Sequence, residues 1–154
     1  MSAGEQFQEM PTMDGGASFK KYFTIESANR SLVLVRRIVT EIVAGYRELM
    51  ERRDALEAMQ RRLRDEETEE RLAELQRCAD RLNQLHAELV EIGCHLKDWQ
   101  SGLIDFPARH EGRDVLLCWR IGEESVSHWH ELDAGFRGRQ AITPEFAALT
   151  VSSQ

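Results

Sequence analysis

Apolar residues recur every seven positions through the first half of the chain, between residues 24 and 64, where no proline occurs. A heptad repeat of this kind is typical of a helix that packs along one stripe on another helix. The repeat consists of aliphatic residues: Val35, Ile42, Leu49, Leu56 and Leu63. The pattern therefore predicts one long amphipathic helix, which opens at Thr24 because a threonine hydroxyl can accept a bond from a free first-turn amide.

An acidic segment at residues 65–70 interrupts this repeat, and Thr68 within it is a suitable N-cap for a second helix. A second apolar stripe follows and stops at Gly93, a residue type that often ends helices. This stripe holds Leu75, Cys78, Leu82, Leu85, Leu89 and Ile92. Two helices joined by a short polar break predict an antiparallel hairpin over residues 24–93. The alternative is one continuous helix that dimerises, since neither glycine nor proline marks the break.

After Gly93 the apolar period changes from that of a helix to that of a strand. Three segments rich in β-branched, aliphatic and aromatic residues are separated by two glycine-containing turns, and residues 94–99 offer a fourth strand. The three segments are residues 103–109, 113–121 and 126–132. The predicted fold is therefore α+β, with a long antiparallel helical hairpin followed by a small C-terminal antiparallel β-meander.

A single domain is expected over residues 22–142, made of the hairpin (24–93) and a β-subdomain (94–142). Residues 1–21 are rich in glycine, serine, methionine and acidic side chains, and this composition predicts a disordered leader. Residues 143–154 are expected to form a tail.

The strand register decides which side chains share a face of the sheet. If both turns are simple hairpins, Arg109 pairs with Arg113 and Ile121 pairs with Val126. One face then carries Asp105, Val115, Trp119, His128 and His130. The other face is almost wholly apolar and is expected to form the core against the helices: Ile104, Phe106, Leu116, Cys118 and Trp129.

Chemically versatile side chains concentrate between His95 and Arg139, which contains all three tryptophans and four of the five histidines. The candidate ligand-binding residues in this segment are Asp105, Trp119, His128, His130, Arg137 and Arg139. The two arginines lie in an acidic chain, and guanidinium groups suit a carboxylate or phosphate ligand. The alternative is that they pair with nearby carboxylates and pin the loop to the sheet.

Histidines two apart on a strand, together with a carboxylate, are ligand types that metals use. His128, His130 and Asp133 are therefore secondary metal candidates, and half-buried, hydrogen-bonded histidines are the alternative. Asp105 and His130 are expected to lie a whole strand apart, roughly 10 Å, which is too far for one shared ion. No metal and no cofactor are predicted on this basis. Cys118, assigned to the core, is expected to be inert.

Composition narrows the functional classes further. The formal net charge is −7 and neither half of the chain is basic, which argues against nucleic-acid binding. No apolar run approaches the ~20 residues of a membrane span, and the start lacks a signal-peptide pattern. Three cysteines without a CxxC spacing indicate neither structural disulfides nor a cysteine zinc site. A cytoplasmic protein without membrane or nucleic-acid partners is therefore expected.

Four segments carry a family resemblance: FTIESANRSLVLVRRIV, IGCHLKDWQSGLIDFPA, GRDVLLCWRIGE and WHELDAGFRGRQAI. They resemble a bacterial family of domains of unknown function, DUF2203, over residues 22–142. Members usually open Phe-Thr-Leu-Glu-Glu-Ala-Asn, and here Ser27 replaces the second glutamate. The resemblance therefore implies a slightly weaker cap at Thr24. It implies no reaction, so no catalytic role is transferred.

These patterns favour a non-enzymatic interaction module whose helices bind a protein partner or a second copy of the chain. The two apolar stripes extend further than a small sheet can cover, which motivates this hypothesis. The alternative is a small anionic-ligand or metal-binding site, including a hydrolytic one, on the β-subdomain.

Overall fold

Two long helices form the first half of the structure, a computed structural model that describes residues 19–150. Helix α1 spans Ile25–Met59 and helix α2 spans Asp65–Ile92. Ion pairs connect Arg81 with Glu41 (3.1 Å) and Arg52 with Glu74 (2.8 Å), so residue numbers rise along one helix as they fall along the other. The predicted antiparallel hairpin is confirmed, and the chain does not form one continuous helix.

The cap of α1 is complete although the family's glutamate is missing. The Thr24 hydroxyl accepts from the Ser27 amide, and the Ser27 hydroxyl accepts from the Thr24 amide, both at 2.9 Å. These are the two reciprocal bonds of a capping box. The expected weakening of this cap is therefore wrong, because the serine hydroxyl takes the position of the glutamate carboxylate.

Helix α2 begins earlier than the sequence pattern indicates. Its N-cap is Arg64, whose side chain makes no capping bond, and Asp65, Glu66 and Glu67 fill the first turn. Their negative charges favour this helix end because the free amides there carry partial positive charge. The Thr68 hydroxyl instead donates to the Arg64 carbonyl, so the prediction that it caps the helix is wrong. At the other end Gly93 adopts φ 104°, which ends the helix as predicted.

The apolar stripes of the two helices pack on each other along the hairpin. Their buried members are Leu32, Val35, Val39, Ile42, Leu49 and Leu56 on α1, and Leu75, Ala79, Leu82, Leu85 and Leu89 on α2. A Cβ atom at Gly45 would lie 2.9 Å from the Leu82 side chain, so the absence of a side chain at Gly45 leaves room for Leu82 of α2. The stripes that predicted partner binding are thus largely buried, partly between the two helices and partly against the sheet.

The second half is one antiparallel sheet in which the five strands follow chain order. The strands are β1 (His95–Asp98), β2 (Leu103–His110), β3 (Arg113–Arg120), β4 (His128–Glu131) and β5 (Gln140–Ala141). A 3-10 turn, Phe136–Gly138, precedes β5, and a short helix α3, Pro144–Leu149, follows it. The α+β meander is confirmed. Within residues 19–150, no helix has the length and hydropathy needed to cross a membrane.

The strand register differs from the expected one at both turns of β3. The first turn contains only Glu111 and Gly112, so Arg113 pairs with His110 and not with Arg109. On the other side Cys118 pairs with His128, one position away from the expected partner. Each one-residue shift turns β3 over relative to its neighbours, because side chains alternate between faces. The two shifts together leave the β2 and β4 side chains on the expected faces but displace these strands by two residues, so that Asp105 lies across β3 from His128 and not from His130.

This correction exchanges the faces of the β3 residues. Trp119 pairs with Ile104 and lies in the hydrophobic core, whereas Leu116 and Cys118 lie on the other face, with Asp105. The core face packs on the helical half through contacts such as Phe23 against Phe106, whose ring centroids are 5.1 Å apart. The core residues of the five strands are Leu96, Ile104, Phe106, Ala108, Val115, Leu117, Trp119 and Trp129.

Candidate functional site

Three side chains with ligand-type atoms meet on the face of the sheet opposite Trp119. Asp105 on β2 pairs directly with Cys118 on β3, and His130 on β4 pairs with Leu116, two positions from Cys118. The three residues are buried, with 2%, 0% and 2% of their surface exposed. The carboxylate oxygen, thiol sulfur and imidazole nitrogen all lie within 4.8 Å of one another. We call this group the Asp105–Cys118–His130 cluster.

Two members of the cluster, the Asp105 carboxylate and the His130 imidazole, are in direct contact. His130 Nε2 lies 3.1 Å from Asp105 Oδ1, although β3 runs between the two strands. The expected 10 Å separation is wrong because it counted backbone spacing only, and both side chains lean toward each other over the middle strand. The objection to a shared ion therefore does not hold.

A hydrogen bond at the ring nitrogen that does not face Asp105 fixes the orientation of the His130 ring. Its Nδ1 lies 2.7 Å from the main-chain oxygen of Glu131, which can only accept, so Nδ1 carries hydrogen and donates. Nε2 is therefore the atom that faces Asp105. Burial lowers the pKa of His130, but the hydrogen bond and charge of Asp105 outweigh burial and leave that pKa above its ordinary value.

Cys118 faces the cluster and not the helices, so its predicted position is wrong. Burial raises the pKa of its thiol to about 12, and the neighbouring carboxylate of Asp105 adds to that effect. The thiol is therefore neutral at ordinary pH unless a cation replaces its proton. A free cysteine nucleophile needs a lowered thiol pKa, so this environment disfavours one.

The other candidate residues are distributed around the cluster. His128 pairs with Cys118 on the same face, but its Nδ1 lies 3.0 Å from the Ser127 hydroxyl and 3.7 Å from the Glu123 carboxylate. Arg139 is bound to Glu123 at 2.5 Å. The structure thus places Arg139 in an ion pair that ties the loop after β4 to the loop after β3.

Three candidates lie apart from the cluster. Trp119 is in the core, where its indole nitrogen donates to the main-chain oxygen of Glu123 at 2.9 Å. Arg137 and Asp133 are exposed in the segment between β4 and β5, and neither belongs to the cluster. The sequence pattern placed two of the three cluster residues, Asp105 and His130, on one face of the sheet, but it predicted that they lie too far apart to meet.

Cys118 was missed because the first turn of the meander was assumed to be one residue longer. The Glu111-Gly112 pair was the available signal, since an X-Gly dipeptide between two apolar runs favours a two-residue turn. In the structure these residues have φ 52° and φ 78°, as such a turn requires. Choosing it would have placed Cys118 beside Asp105.

The donor set of the cluster suits a transition metal. A carboxylate oxygen, a thiolate sulfur and an imidazole nitrogen are the three ligand types that zinc uses in proteins. The bond from His130 Nδ1 to the Glu131 carbonyl is the outer contact that orients a metal-binding histidine. The alternative is that the cluster binds no metal. Asp105 and His130 then form a buried ion pair beside the neutral Cys118 thiol.

The family model described as "Uncharacterized conserved protein (DUF2203)" matches residues 21–142. The matched segment contains both long helices and all five strands, and it ends before α3. No curated protein and no solved structure matches the chain.

Proposed function

Because the chain belongs to the DUF2203 family of uncharacterized conserved proteins, whose description names no activity, we propose a function from the cluster itself. The protein binds one divalent transition-metal ion of the zinc type through Asp105, Cys118 and His130. The observation that carries this proposal is that three different strands bring three different metal-ligand atoms within 4.8 Å of one another.

The spacing of the ligand atoms favours an ion of this size. Zinc binds oxygen, nitrogen and sulfur at about 2.0–2.3 Å, so ligands on a tetrahedron lie roughly 3–4 Å apart. The Nε2–Oδ1 distance of 3.1 Å already has this value. The remaining separations reach at most 4.8 Å and close with small rotations of the three side chains.

The charge of the buried cluster also favours a dication. Without metal, Nδ1 of His130 donates to Glu131 and the contact between Nε2 and Asp105 Oδ1 needs one further proton, so the pair is neutral overall, as is the thiol. With a dication, the carboxylate, the thiolate and a neutral imidazole again sum to zero. Binding therefore releases two protons without leaving uncompensated charge in a buried place, where such charge is costly.

The test is a titration of chelator-treated protein with Zn²⁺ by calorimetry and with Co²⁺ by absorption spectroscopy. We expect one ion per chain and a near-ultraviolet cobalt–thiolate band. Cys118→Ala should abolish the band and the binding. Cys94→Ala is the matched control, since Cys94 is also buried and free but its sulfur lies 3.6 Å from the Leu89 carbonyl, outside the cluster.

Two results would contradict metal binding. One is the absence of stoichiometric uptake by the folded wild-type protein. The other is equal uptake by wild type and Cys118→Ala, with the Cys94→Ala protein behaving identically.

A second candidate function is protein interaction through the hairpin. A groove of about 380 Å³ is lined by residues of both α1 and α2, among them the small residues Ala44, Gly45 and Cys78. Small side chains allow close approach of a further helix, and the groove is also lined by the charged residues Glu41, Glu48, Arg77 and Arg81. This arrangement supports docking of a helix from a partner or from a second copy.

Ala44→Arg tests the second function, because Ala44 is exposed and its replacement fills the groove without disturbing the core. Ala58→Arg is the control, an exposed alanine four turns further along α1 and outside the groove. If the hairpin mediates self-association, sedimentation analysis should show a loss of dimer only for Ala44→Arg. A strict monomer in the wild type, with no partner recovered, removes this candidate.

A further inference from the structure

Three protein ligands leave one position open on a tetrahedral ion. In zinc proteins an open position occupied by water marks a catalytic site, whereas a fourth protein ligand marks a structural one. The residue that fills this position therefore decides what the metal does. Candidates are side chains on the same face of the sheet as the cluster and the Glu123 carboxylate beside His128, but Glu123 already binds Arg139 and accepts from the Arg120 amide.

Two histidines lie on that face, one on each side of the cluster. His95 on β1 pairs directly with Asp105, and His128 on β4 pairs directly with Cys118. Directly opposite residues of an antiparallel pair have Cβ atoms about 4.5–5.5 Å apart, a gap that an imidazole can span. By backbone position alone, the two histidines are equivalent candidates.

The contacts that each histidine already makes distinguish the two as candidate ligands. His128 is held by the Ser127 hydroxyl at 3.0 Å and faces the Glu123 carboxylate at 3.7 Å. His95 is half-buried and meets the Phe19 ring edge-on, with ring centroids 5.6 Å apart. Among residues 19–150 no hydrogen bond reaches either of its ring nitrogens. A half-buried histidine without a hydrogen bond is the one that gains most from a ligand.

We infer that His95 is the fourth ligand, reaching the ion by rotating away from Phe19 toward Asp105. The site is then a closed centre in which Asp105, Cys118, His130 and His95 each come from a different strand. This inference rests on the proposed metal-binding function. The ion acts as a clamp across β1, β2, β3 and β4, and its role is structural, with no position left for a substrate.

The experiment compares His95→Ala with His128→Ala in the full chain, using Zn²⁺ affinity and the Co²⁺ spectrum. Loss of even an outer-shell partner of a metal ligand typically weakens binding 10–100-fold, so loss of a direct ligand should cost at least about 10-fold. We expect that loss for His95→Ala and wild-type affinity for His128→Ala. The circular dichroism of each metal-free variant reports whether it is folded.

A cysteine at each position gives a second readout that does not depend on loss of binding. His95→Cys should restore uptake and strengthen the cobalt–thiolate band, because a second sulfur then binds the ion. His128→Cys should leave the band unchanged. This pair remains informative even if His95→Ala folds poorly.

The outcomes separate the two proposals. Wild-type affinity and spectrum in His95→Ala, with binding abolished in Cys118→Ala, overturn the fourth ligand and leave the metal function standing. Equal losses in the His95 and His128 variants also overturn it. No uptake by wild type overturns both.

Discussion

His130 Nε2 and Asp105 Oδ1 lie 3.1 Å apart across an intervening strand, and both side chains are 3% exposed. Two strands that flank a third are roughly 10 Å apart, so this contact exists only because both side chains bend over the middle strand. It joins β2 to β4 without any main-chain bond between them. We therefore expect removal of either side chain alone to destabilise the metal-free sheet.

Asp105→Asn should destabilise the metal-free protein strongly. The substitution removes the charge that His130 faces in a buried place, and a buried polar group that loses its partner costs about 1–3 kcal/mol in unfolding free energy. Urea denaturation at pH 7, followed by tryptophan fluorescence, measures this loss. Asp133→Asn is the control in the same half of the chain, because Asp133 is exposed and its replacement should change stability by less than about 0.5 kcal/mol. Equal stability of the two variants would contradict a structural role for the contact.

Gly102→Ala should destabilise more than Gly112→Ala, although both glycines have positive φ (66° and 78°). A Cβ at Gly102 would lie 2.8 Å from the Val39 side chain and 3.1 Å from Ile121, whereas nothing lies within 4 Å at Gly112. Both variants share the backbone strain, and only the first overpacks the contact between sheet and α1. The difference in unfolding free energy should be about 1–3 kcal/mol. A difference near zero would show that this contact yields easily.

Cys78 should be the thiol that reacts first in the native protein. It is partly exposed, whereas Cys94 and Cys118 are buried, and burial raises the pKa of the Cys94 thiol to about 12. Reaction needs an accessible thiolate, which both buried residues lack. A chromogenic disulfide reagent at pH 8 should label one thiol per chain before unfolding and three after it. Rapid labelling of Cys118, mapped by mass spectrometry, would show that the cluster opens readily.

The free energy of unfolding should fall in mild acid because of His86, which lies near the C-terminal end of α2. Its ring packs on Trp99 at 5.4 Å, and burial lowers the pKa of His86 below its ordinary value of 6.5. As the pH falls through 6.5, the unfolded chain therefore takes up the proton first and gains free energy relative to the folded one. Between pH 7.5 and 5.5 the wild type should lose more stability than His86→Gln, measured by urea denaturation. Parallel pH profiles for the two proteins would refute this assignment.

Phe146→Ala should release helix α3 from the sheet. The Phe146 ring stacks on His110 at 4.1 Å and on Trp129 at 4.4 Å, and Phe146 is 6% exposed. Truncating a buried phenylalanine typically costs about 3–5 kcal/mol, so the short helix should detach and expose Trp129. A red shift in tryptophan fluorescence, measured at a temperature where the protein is folded, reports this exposure. Leu149→Ala, 49% exposed in the same helix, should cause no shift.

The two long helices could be predicted from the local pattern of apolar and polar residues. The heptad repeat predicted the hairpin because apolar residues spaced this way must bury one helical stripe, and the partner stripe lay just beyond a polar break. Gly93 marked the end of α2 because it takes a backbone angle that other residues avoid. The start of α2 was missed, because the acidic first turn and not the Thr68 hydroxyl supports that end.

The sequence by itself determined that a helical hairpin precedes an antiparallel meander, and that Asp105 and His130 share a face. Only the tertiary structure decided which β3 residues join them. The physical reason is that strand faces alternate at every residue, so one residue in a turn exchanged Trp119 for Cys118. The tertiary structure also decided that Asp105 contacts His130. Contact across an intervening strand depends on side-chain orientation, which the positions of the residues along the chain do not give.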